Sequence, residues 1–371
     1  MIDGPRVRKR AVDTGSRRWK RLSDSVDSPQ IMTSVKGFRI EEAATADSLG
    51  TGAFVFTDDY SVFDWGKMPD AIPNKGASLC AMGAANFVRL EAEGIATHYR
   101  GVVSGGGAVT GLDSVATPPR EMAIELTRVP DLPHEGREYD YTAYHEAAGE
   151  NYLIPLEIVF RNTVPVGSSL RSRADPGEFG LEHDAWPDDP VDLPEPVVEF
   201  STKYEESDRY LSRENADYIA GAADVDALES IAREVNRIVT ETAADAGLKH
   251  EDGKIECLYY DGEIRVADVV GTFDENRFSY AGRQLSKEVL RQYHKRTQPE
   301  WVEAVAKAKA EAKADDVADW RELCGVDPEP LPAHVVDAAR EMYTAGTNAY
   351  LGRDLFDAPA LEDAVAAIES L

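Results

Sequence analysis

Residues 252–268 of the chain, DGKIECLYYDGEIRVAD, predict a β-hairpin. Apolar runs rich in aromatic and β-branched residues flank Asp261-Gly262, and an Asp-Gly pair between such runs is a strong hairpin signal. Side chains alternate along a strand, so Asp252, Lys254 and Glu256 are expected on one face of the first strand. The hairpin therefore collects charged side chains on one surface of a sheet.

Two carboxylates are expected to converge on this hairpin. The turn is centred between Glu256 and Val266 or Ala267, which predicts that Asp268 falls close to Glu256 across the two strands. Two carboxylates beside Lys254 are typical of a divalent metal site, because Mg²⁺ commonly takes one or two carboxylates plus substrate oxygens. The alternative is a solvated hairpin face that carries a cross-strand ion pair.

A second segment combines an apolar strand with phosphate-binding groups. Residues 154–162, IPLEIVFRN, end near Arg161 and lead to a Gly-Ser-Ser turn at 167–169. A guanidinium, hydroxyls and backbone N–H groups at one point can bind a phosphate monoester. The alternative is a strand-end arginine paired with a surface acid. With Arg277 nearby, the two segments suggest chemistry on a phosphorylated, carboxylate-bearing substrate with ATP.

The order of elements indicates the α+β class. Period-two and short apolar runs predict strands at 53–57, 121–129, 152–162, 254–260 and 263–270, with a hairpin turn within 102–109. Helical spacing predicts helices at 77–93, 212–247, 285–314, 333–345 and 360–371, and residues 174–196 form a loop or lid. Strands dominate the first half and helices the second, so an alternating βαβ fold is not expected.

Composition excludes several classes of protein. The chain has 371 residues, 43% of them hydrophobic, which favours two domains with a sizeable core. A pI near 4.6 argues against nucleic acid as a partner. The sequence contains no run of about 18 apolar residues, so no membrane span is expected. Three scattered cysteines exclude a disulfide framework, and a soluble, cytoplasmic globular protein is expected.

The charge is unevenly distributed along the chain. Only 13 of the 40 basic residues are lysines, against 68 acids, which predicts a salt-adapted protein; an ordinary acidic enzyme is the alternative. Residues 1–31 carry a net charge of +4. Because the whole chain carries −28, residues 32–371 carry −32. We interpret 1–31 as a basic, disordered or spurious extension, with translation starting at Met32. The alternative is a basic tail that touches RNA.

The motifs together resemble the SAICAR synthetase family, the phosphoribosylaminoimidazole-succinocarboxamide synthases of purine biosynthesis. The resemblance runs from about Val35 to Tyr280, and its style is that of the haloarchaeal branch. It is carried by a P-x-E-x-x-x-R-N strand with a Gly-Ser turn, a D-x-K-x-E strand, an Asp on the next strand and an Asp-x-x-Arg. The matching residues are Pro155, Glu157, Arg161, Asn162, Gly167, Ser168, Asp252, Lys254, Glu256, Asp268, Asp274 and Arg277.

The resemblance implies a two-domain fold with an ATP cleft between the domains. After the extension at 1–31, residues 32–153 are expected to form a β-rich nucleotide-binding domain. Residues 154–371 are expected to form a mixed, helix-rich domain that binds substrate and metal. The domain boundary thus falls within the apolar run that carries the phosphate-binding arginine.

The resemblance also implies a reaction with ATP and Mg²⁺. ATP, L-aspartate and carboxyaminoimidazole ribonucleotide (CAIR) give SAICAR, ADP and phosphate. Only small-molecule partners are expected, with no nucleic acid and no membrane. Whether the protein forms a homo-oligomer is left open. The implied metal and catalytic residues are Glu256 and Asp268, with Lys254 steadying developing charge. The implied phosphate ligands are Arg161, Arg277 and either Ser168 or Ser169, and the implied ATP contacts are Lys36, Lys75, Leu153 and Glu157.

Two other functions compete with this one. A small-molecule phosphotransferase would share a kinase-like two-domain ATP cleft, but it needs an Asp base near the acceptor, and no HRD-like or DFG-like segment occurs. A binding protein without catalysis would be favoured by loss of the carboxylates or the lysine. Lys254, Glu256 and Asp268 are all present.

Overall fold

The computed structural model describes residues 20–21, 30–32, 36–205, 208–315, 317 and 319–371. Its strands are β1 (Lys20–Arg21), β2 (Gln30–Met32), β3 (Lys36–Glu42), β4 (Gly50–Phe56), β5 (Tyr99–Val103), β6 (Val109–Thr110), β7 (Glu121–Leu126), β8 (His134–Glu135), β9 (Glu138–Tyr139), β10 (Asn151–Leu153), β11 (Leu156–Val164), β12 (Val191–Thr202), β13 (Lys249–Tyr260), β14 (Glu263–Ala267), β15 (Asn276–Tyr280) and β16 (Arg283–Gln284). Its helices are α1 (Lys75–Ala92), α2 (Tyr141–Ala148), α3 (Arg213–Ala220), α4 (Val225–Asp245), α5 (Glu288–Thr297), α6 (Pro299–Asp315), α7 (Ala333–Leu351) and α8 (Leu361–Glu369). The predicted α+β class is confirmed.

The first sheet gathers the strands before residue 127. Its order is β1-β2-β3-β4-β7-β5-β6, and every neighbouring pair is antiparallel. Helix α1 packs against β4, β5 and β7, and Leu79, Met82 and Phe87 of this helix are buried. The predicted helix at 77–93 and the predicted turn within 102–109 are confirmed. The predicted extension at 1–31 lies outside the described residues, apart from β1 and the start of β2, and it stays a prediction.

The second sheet carries both segments that the sequence singled out. Its order is β12-β11-β13-β15-β16, and β10 and β14 also pair with β13. The hairpin register pairs Glu256 with Ala267, one of the two partners expected. Helix α4 packs on one face of β11 and β13, where Phe160 and Ile255 are buried. The opposite face is left for the charged side chains.

Gly253 allows the sheet to close around a buried amide. A Cβ atom at this position would lie 1.9 Å from Nδ2 of Asn276. That amide donates a hydrogen bond to Nε2 of His250 at 2.9 Å. Any larger residue at 253 would displace Asn276, the residue before Arg277.

Three predicted elements are each divided in the structure, so their predicted continuity was wrong. The strand at 152–162 breaks at Ile154-Pro155 because proline has no N–H for the ladder. The helix at 212–247 ends before Gly221, which has a φ of +73°, and restarts at the N-cap Asp224. The helix at 285–314 restarts at Pro299. The predicted loop at 174–196 contains a 3₁₀ turn at Pro176–Phe179, and its last six residues belong to β12 instead.

The two sheets meet at β14. Thr97 forms a parallel bridge with Val266, and the His98 N–H donates to the Val266 carbonyl at 3.1 Å. Helices α7 and α8 pack together at the C-terminal end, and α7 also lies against α1. Within the described part of the chain, no helix is long and apolar enough to cross a bilayer.

Candidate active site

The open face of the second sheet carries a row of charged side chains. Register pairs Arg161 with Asp252 and Val159 with Lys254, so Arg161, Asp252 and Lys254 lie on the same face. Asp252 and Glu256 are nearly buried, and Lys254 is 31% exposed. The predicted alternation is confirmed, and it separates into two clusters along β13.

The first cluster is called the carboxylate–lysine cluster. Its residues are Lys36, Glu157, Lys203, Lys254, Glu256, Asp268 and Glu275. The ammonium of Lys254 lies 2.6 Å from Oε1 of Glu157 and 3.6 Å from Oε2 of Glu275. Lys203 pairs with Glu256, and Lys36 pairs with Asp268. Side chains from β3, β11, β13 and two loops thus meet at one point.

Asp268 reaches this cluster through an unusual backbone conformation. Strand β14 ends at Ala267, and Asp268 has a φ of +60°, in the left-handed region that non-glycine residues seldom adopt. Nε2 of His98 lies 3.1 Å from its carbonyl oxygen. Because a regular next residue would point to the opposite face, this turn is what directs the carboxylate toward Lys36.

Burial and neighbouring charges shift the pKa values of two acids in the cluster in opposite directions. Burial raises the pKa of Glu256, and the charge of Asp268 raises it further against the opposing effect of Lys203. Burial would also raise the pKa of Asp268, but Lys36 and Lys203 outweigh it and hold this pKa below its usual value. Two buried carboxylates that repel each other form a site that a cation can stabilise.

Lys254 remains charged in this setting. Burial alone would lower its pKa, but Glu275, Glu157 and Glu256 together raise the pKa well above its usual value. A permanently charged ammonium can stabilise developing negative charge, and it cannot serve as a base. The role that the resemblance implies for Lys254, steadying developing charge, stays a prediction.

The second cluster is called the arginine cluster. Its residues are Arg161, Arg173, Glu199, Tyr210, Asp252 and Arg277. Arg277 donates two hydrogen bonds to the Asp252 carboxylate, at 2.8 Å from Nε and 2.5 Å from Nη2. Arg161 donates from Nη1 to Asp252 at 3.4 Å and from Nη2 to the Tyr210 hydroxyl at 2.8 Å. The structure thus brings the two predicted arginines together at one carboxylate.

The Gly-Ser turn contributes an arginine to this cluster. Ser168 is buried and accepts a hydrogen bond from the Leu170 N–H, which caps a 3₁₀ turn at Ser169–Ser172, and Ser169 is exposed. The turn leads to Arg173, whose guanidinium lies 3.6 Å from the centre of the Tyr210 ring. Arg173 also pairs with Glu199, whose other oxygen accepts from Arg161.

Lys75 lies outside these clusters, which corrects its predicted role as an ATP contact. Its side chain is 0% exposed, and its ammonium lies 2.6 Å from Oδ2 of Asp274. A fully buried, paired lysine has no surface to offer a ligand. We therefore assign Lys75 to the interior of the fold.

Leu153 joins the two sheets at the break before Pro155. Its N–H donates to the carbonyl of Arg128 at 3.0 Å, and its carbonyl accepts from the Tyr144 hydroxyl at 2.8 Å. Both backbone groups of Leu153 therefore have protein partners.

Sequence reasoning missed several of the charged residues in the two clusters. Lys203 follows β12 in an irregular segment, and its only sequence signal is the general scarcity of lysine. Glu275 lies between the noted Asp274 and Arg277, and Arg173 follows the noted turn. In the part of the chain that the structure describes, no group of three or more His, Cys, Asp or Glu side chains could hold a metal. A metal here would need oxygens from substrates as well.

The comparison with family models decides the assignment. A model described as SAICAR synthetase matches residues 44–308, which is most of the chain. The chain belongs to the SAICAR synthetase family. The resemblance seen in the motifs is confirmed, and so is the predicted enzyme class, a phosphoribosylaminoimidazole-succinocarboxamide synthase of purine biosynthesis. A phosphotransferase is not favoured.

Individual relatives agree with the family assignment. A curated relative from Archaeoglobus fulgidus named for this synthase is 42% identical over 334 residues, covering 88% of this chain and 96% of the relative. The synthase of Thermoplasma acidophilum is 31% identical over 264 residues, covering 68% and 80%. A SAICAR synthase from Saccharomyces cerevisiae, solved with SAICAR, has a TM-score of 0.58 at 20% identity and covers 90% and 98%; it shows the same fold.

Proposed function

We propose that the two clusters hold opposite ends of CAIR while ATP and L-aspartate react with its carboxylate. The supporting observation is that one strand, β13, supplies both clusters on one face. Asp252 and Glu256 are four residues apart, or about 13 Å at the rise of a β-strand. That span suits a ribonucleotide whose phosphate and carboxylate lie at opposite ends. The ligase reaction of the family thus acquires a specific orientation.

The arginine cluster binds the phosphate of CAIR in this proposal. Arg161 and Arg277 now share Asp252, and each guanidinium can turn a pair of N–H groups toward a phosphate. Arg173 adds a third guanidinium from the Gly-Ser turn, and Ser168 or Ser169 supplies a hydroxyl or backbone N–H. Binding energy at this end aligns the carboxylate at the other end.

The carboxylate–lysine cluster holds Mg²⁺ through Glu256 and Asp268. The fit is tested by their charges, because Asp268 raises the pKa of Glu256 and two repelling carboxylates suit a hard cation. Bound Mg²⁺ neutralises charge between two anionic reactants. If Mg²⁺ took these acids, Lys36 and Lys203, which pair with them here, would be available to anionic ligands. Lys254 keeps its charge beside the reacting carboxylate.

ATP lies between the two sheets, with its adenine near Leu153 and its phosphates near Lys36. Glu157 positions Lys254 from β11. ATP phosphorylates the CAIR carboxylate, and the amine of L-aspartate displaces phosphate from the acyl phosphate to form the amide. ADP, phosphate and SAICAR are the products. The chain's own contribution is orientation and fixed positive charge.

The reaction is expected in the cytoplasm and in high salt. The net charge of −28 is the observation that supports salt adaptation, because dense acidic surfaces repel themselves in dilute solution. In molar KCl the Debye length falls to about 3 Å, so repulsion between surface acids further apart than this is largely screened.

ADP release by the purified protein tests the function. In molar KCl with Mg²⁺, ADP release should require both CAIR and L-aspartate, and it should fall when KCl is diluted. Turnover without CAIR would contradict the ligase function. Full activity in dilute buffer would contradict only the salt adaptation, so the two proposals fail separately.

A further inference from the structure

One loop connects the two clusters, and the C-terminal helix α7 packs against it. The loop runs from Asp268 to Glu275, both of the carboxylate–lysine cluster, and it leads into β15, which carries Arg277 of the arginine cluster. Helix α7 lies beyond residues 44–308, the part of the chain matched to the family. The sequence predicts a helix here but indicates no role for it in the chemistry.

The first contact between α7 and the loop is a buried charged group. Oδ1 of Asp274 accepts a hydrogen bond from the Tyr343 hydroxyl at 2.7 Å, and Oδ2 lies 2.6 Å from the ammonium of Lys75. All three side chains are nearly or fully buried. Burial would raise the pKa of Asp274, but the charge of Lys75 holds this pKa below its usual value. A buried carboxylate of this kind depends on each of its partners.

The second contact is a close approach of the helix backbone. A Cβ atom at Gly346 would lie 2.7 Å from the ring of Phe273, the residue before Asp274. Gly346 is one turn along α7 from Tyr343, so both face the loop. The missing side chain lets the helix backbone pack against the loop.

The third contact holds the other end of the loop. The Tyr350 hydroxyl donates to Oδ1 of Asn86 at 2.8 Å. Nδ2 of Asn86 donates to the carbonyls of Val270 and Gly271 at 3.0 and 3.1 Å. Gly271 has a φ of +67°, and a Cβ atom there would lie 2.2 Å from Nδ2 of Asn86. Helix α7 thus fixes the loop at both ends.

We propose that Tyr343 is a positioning residue for CAIR binding, which acts through Asp274 to hold Arg277 in the arginine cluster. Asp274 is three residues before Arg277, and the intervening Asn276 is fixed by its hydrogen bonds to His250 and Gly271. Loss of the Tyr343 hydroxyl leaves one carboxylate oxygen without its donor. The loop then relaxes, and the guanidinium of Arg277 no longer meets the phosphate in one orientation. This inference rests on the proposed function, in which Arg277 binds the phosphate of CAIR.

The test compares Tyr343→Phe and Tyr350→Phe with the control Tyr152→Phe. Tyr152 also loses a buried hydroxyl, which donates to the carbonyl of Ala220 at 2.9 Å, but it does not contact the loop. For Tyr343→Phe we expect KM for CAIR to rise about tenfold, because one hydrogen bond to a charged group is lost. We expect kcat to stay within about threefold of the native value. For Tyr350→Phe, which acts through Asn86, we expect a rise of about threefold. Tyr152→Phe should lower the melting temperature and leave KM for CAIR unchanged.

The outcomes separate the inference from the function on which it rests. Tyr343→Phe keeps the packed ring, and circular dichroism checks that it folds. If Tyr343→Phe does not fold, Tyr350→Phe carries the test. An unchanged KM for CAIR, or an equal rise in KM for ATP and CAIR, would overturn the positioning role. Arg277→Lys is measured in parallel. If it raises KM for CAIR and Tyr343→Phe does not, only the inference fails; if it changes nothing, the phosphate assignment fails.

Discussion

The two clusters on the open face of the second sheet differ in their cations and in their charge. The carboxylate–lysine cluster sets three lysines against four carboxylates, whereas the arginine cluster sets three arginines against two. Compact ammonium groups beside excess carboxylate suit a site shared with a metal ion, and planar guanidinium groups suit a phosphate. We therefore propose that one strand presents a metal-binding end and a phosphate-binding end.

The largest effect is expected from Glu256→Gln, which removes a carboxylate from the metal-binding end. We expect kcat to fall about a thousandfold, because the several kcal/mol of charge stabilisation by the metal is lost. ADP release measures it. Glu263→Gln, an exposed acid in β14, is the control and should change kcat little. A loss of less than tenfold in Glu256→Gln would break the distinction between the clusters.

A smaller effect is expected from Arg161→Lys, which makes the phosphate-binding end resemble the other cluster. A lysine cannot form the paired hydrogen bonds of a guanidinium, so KM for CAIR should rise about 30-fold with a smaller change in kcat. Initial rates at varied CAIR concentrations measure it. Arg265→Lys in β14 serves as the control. The Arg265 guanidinium pairs with Glu125 of β7 and Glu263 of β14. A fall in kcat at constant KM would instead place Arg161 at the reacting centre.

The smallest effect concerns the histidine buried behind the arginine cluster. Burial lowers the pKa of His250 from 6.5 to about 4. Between pH 6.5 and 4 the unfolded chain therefore binds a proton that the native state excludes, so stability is lost as pH falls through this window. The native protein should lose on the order of 1 kcal/mol more than His250→Gln between pH 6.5 and 5.

Urea unfolding in molar KCl at both pH values measures this difference. His98 and His294, also buried with pKa values lowered to about 4, are present in both proteins and cancel. Equal losses of unfolding free energy in the two proteins would contradict a neutral His250 in the native state.

The local parts of the site could be predicted from the sequence, and the long-range parts could not. The shared face of Asp252, Lys254 and Glu256 follows from strand alternation, and the Asp-Gly turn fixed the hairpin register. Proximity of Asp268 to Glu256 was also expected. Its approach depends on a left-handed backbone that no pattern of residue types encodes.

Residues outside the motifs show the same limit. Lys203 joins the site because β12 lies beside β11, and strand order is a property of the whole sheet. The resemblance implies Lys75 as an ATP contact, but Asp274 and Tyr343 enclose it, and Tyr343 comes from a helix some 270 residues further along the chain. Neither partner could be inferred from the residues around Lys75.

The most direct test of the division between the clusters is binding of Mn²⁺ in place of Mg²⁺ in the presence of ADP, followed by electron paramagnetic resonance. Native protein, Glu256→Gln and Arg161→Lys are compared in molar KCl. We predict that Glu256→Gln weakens Mn²⁺ binding at least about tenfold, because one of two charged ligands is lost, and that Arg161→Lys leaves it within about twofold. Equal Mn²⁺ affinity in all three proteins, or a loss in Arg161→Lys alone, would contradict a metal end and a phosphate end on one strand.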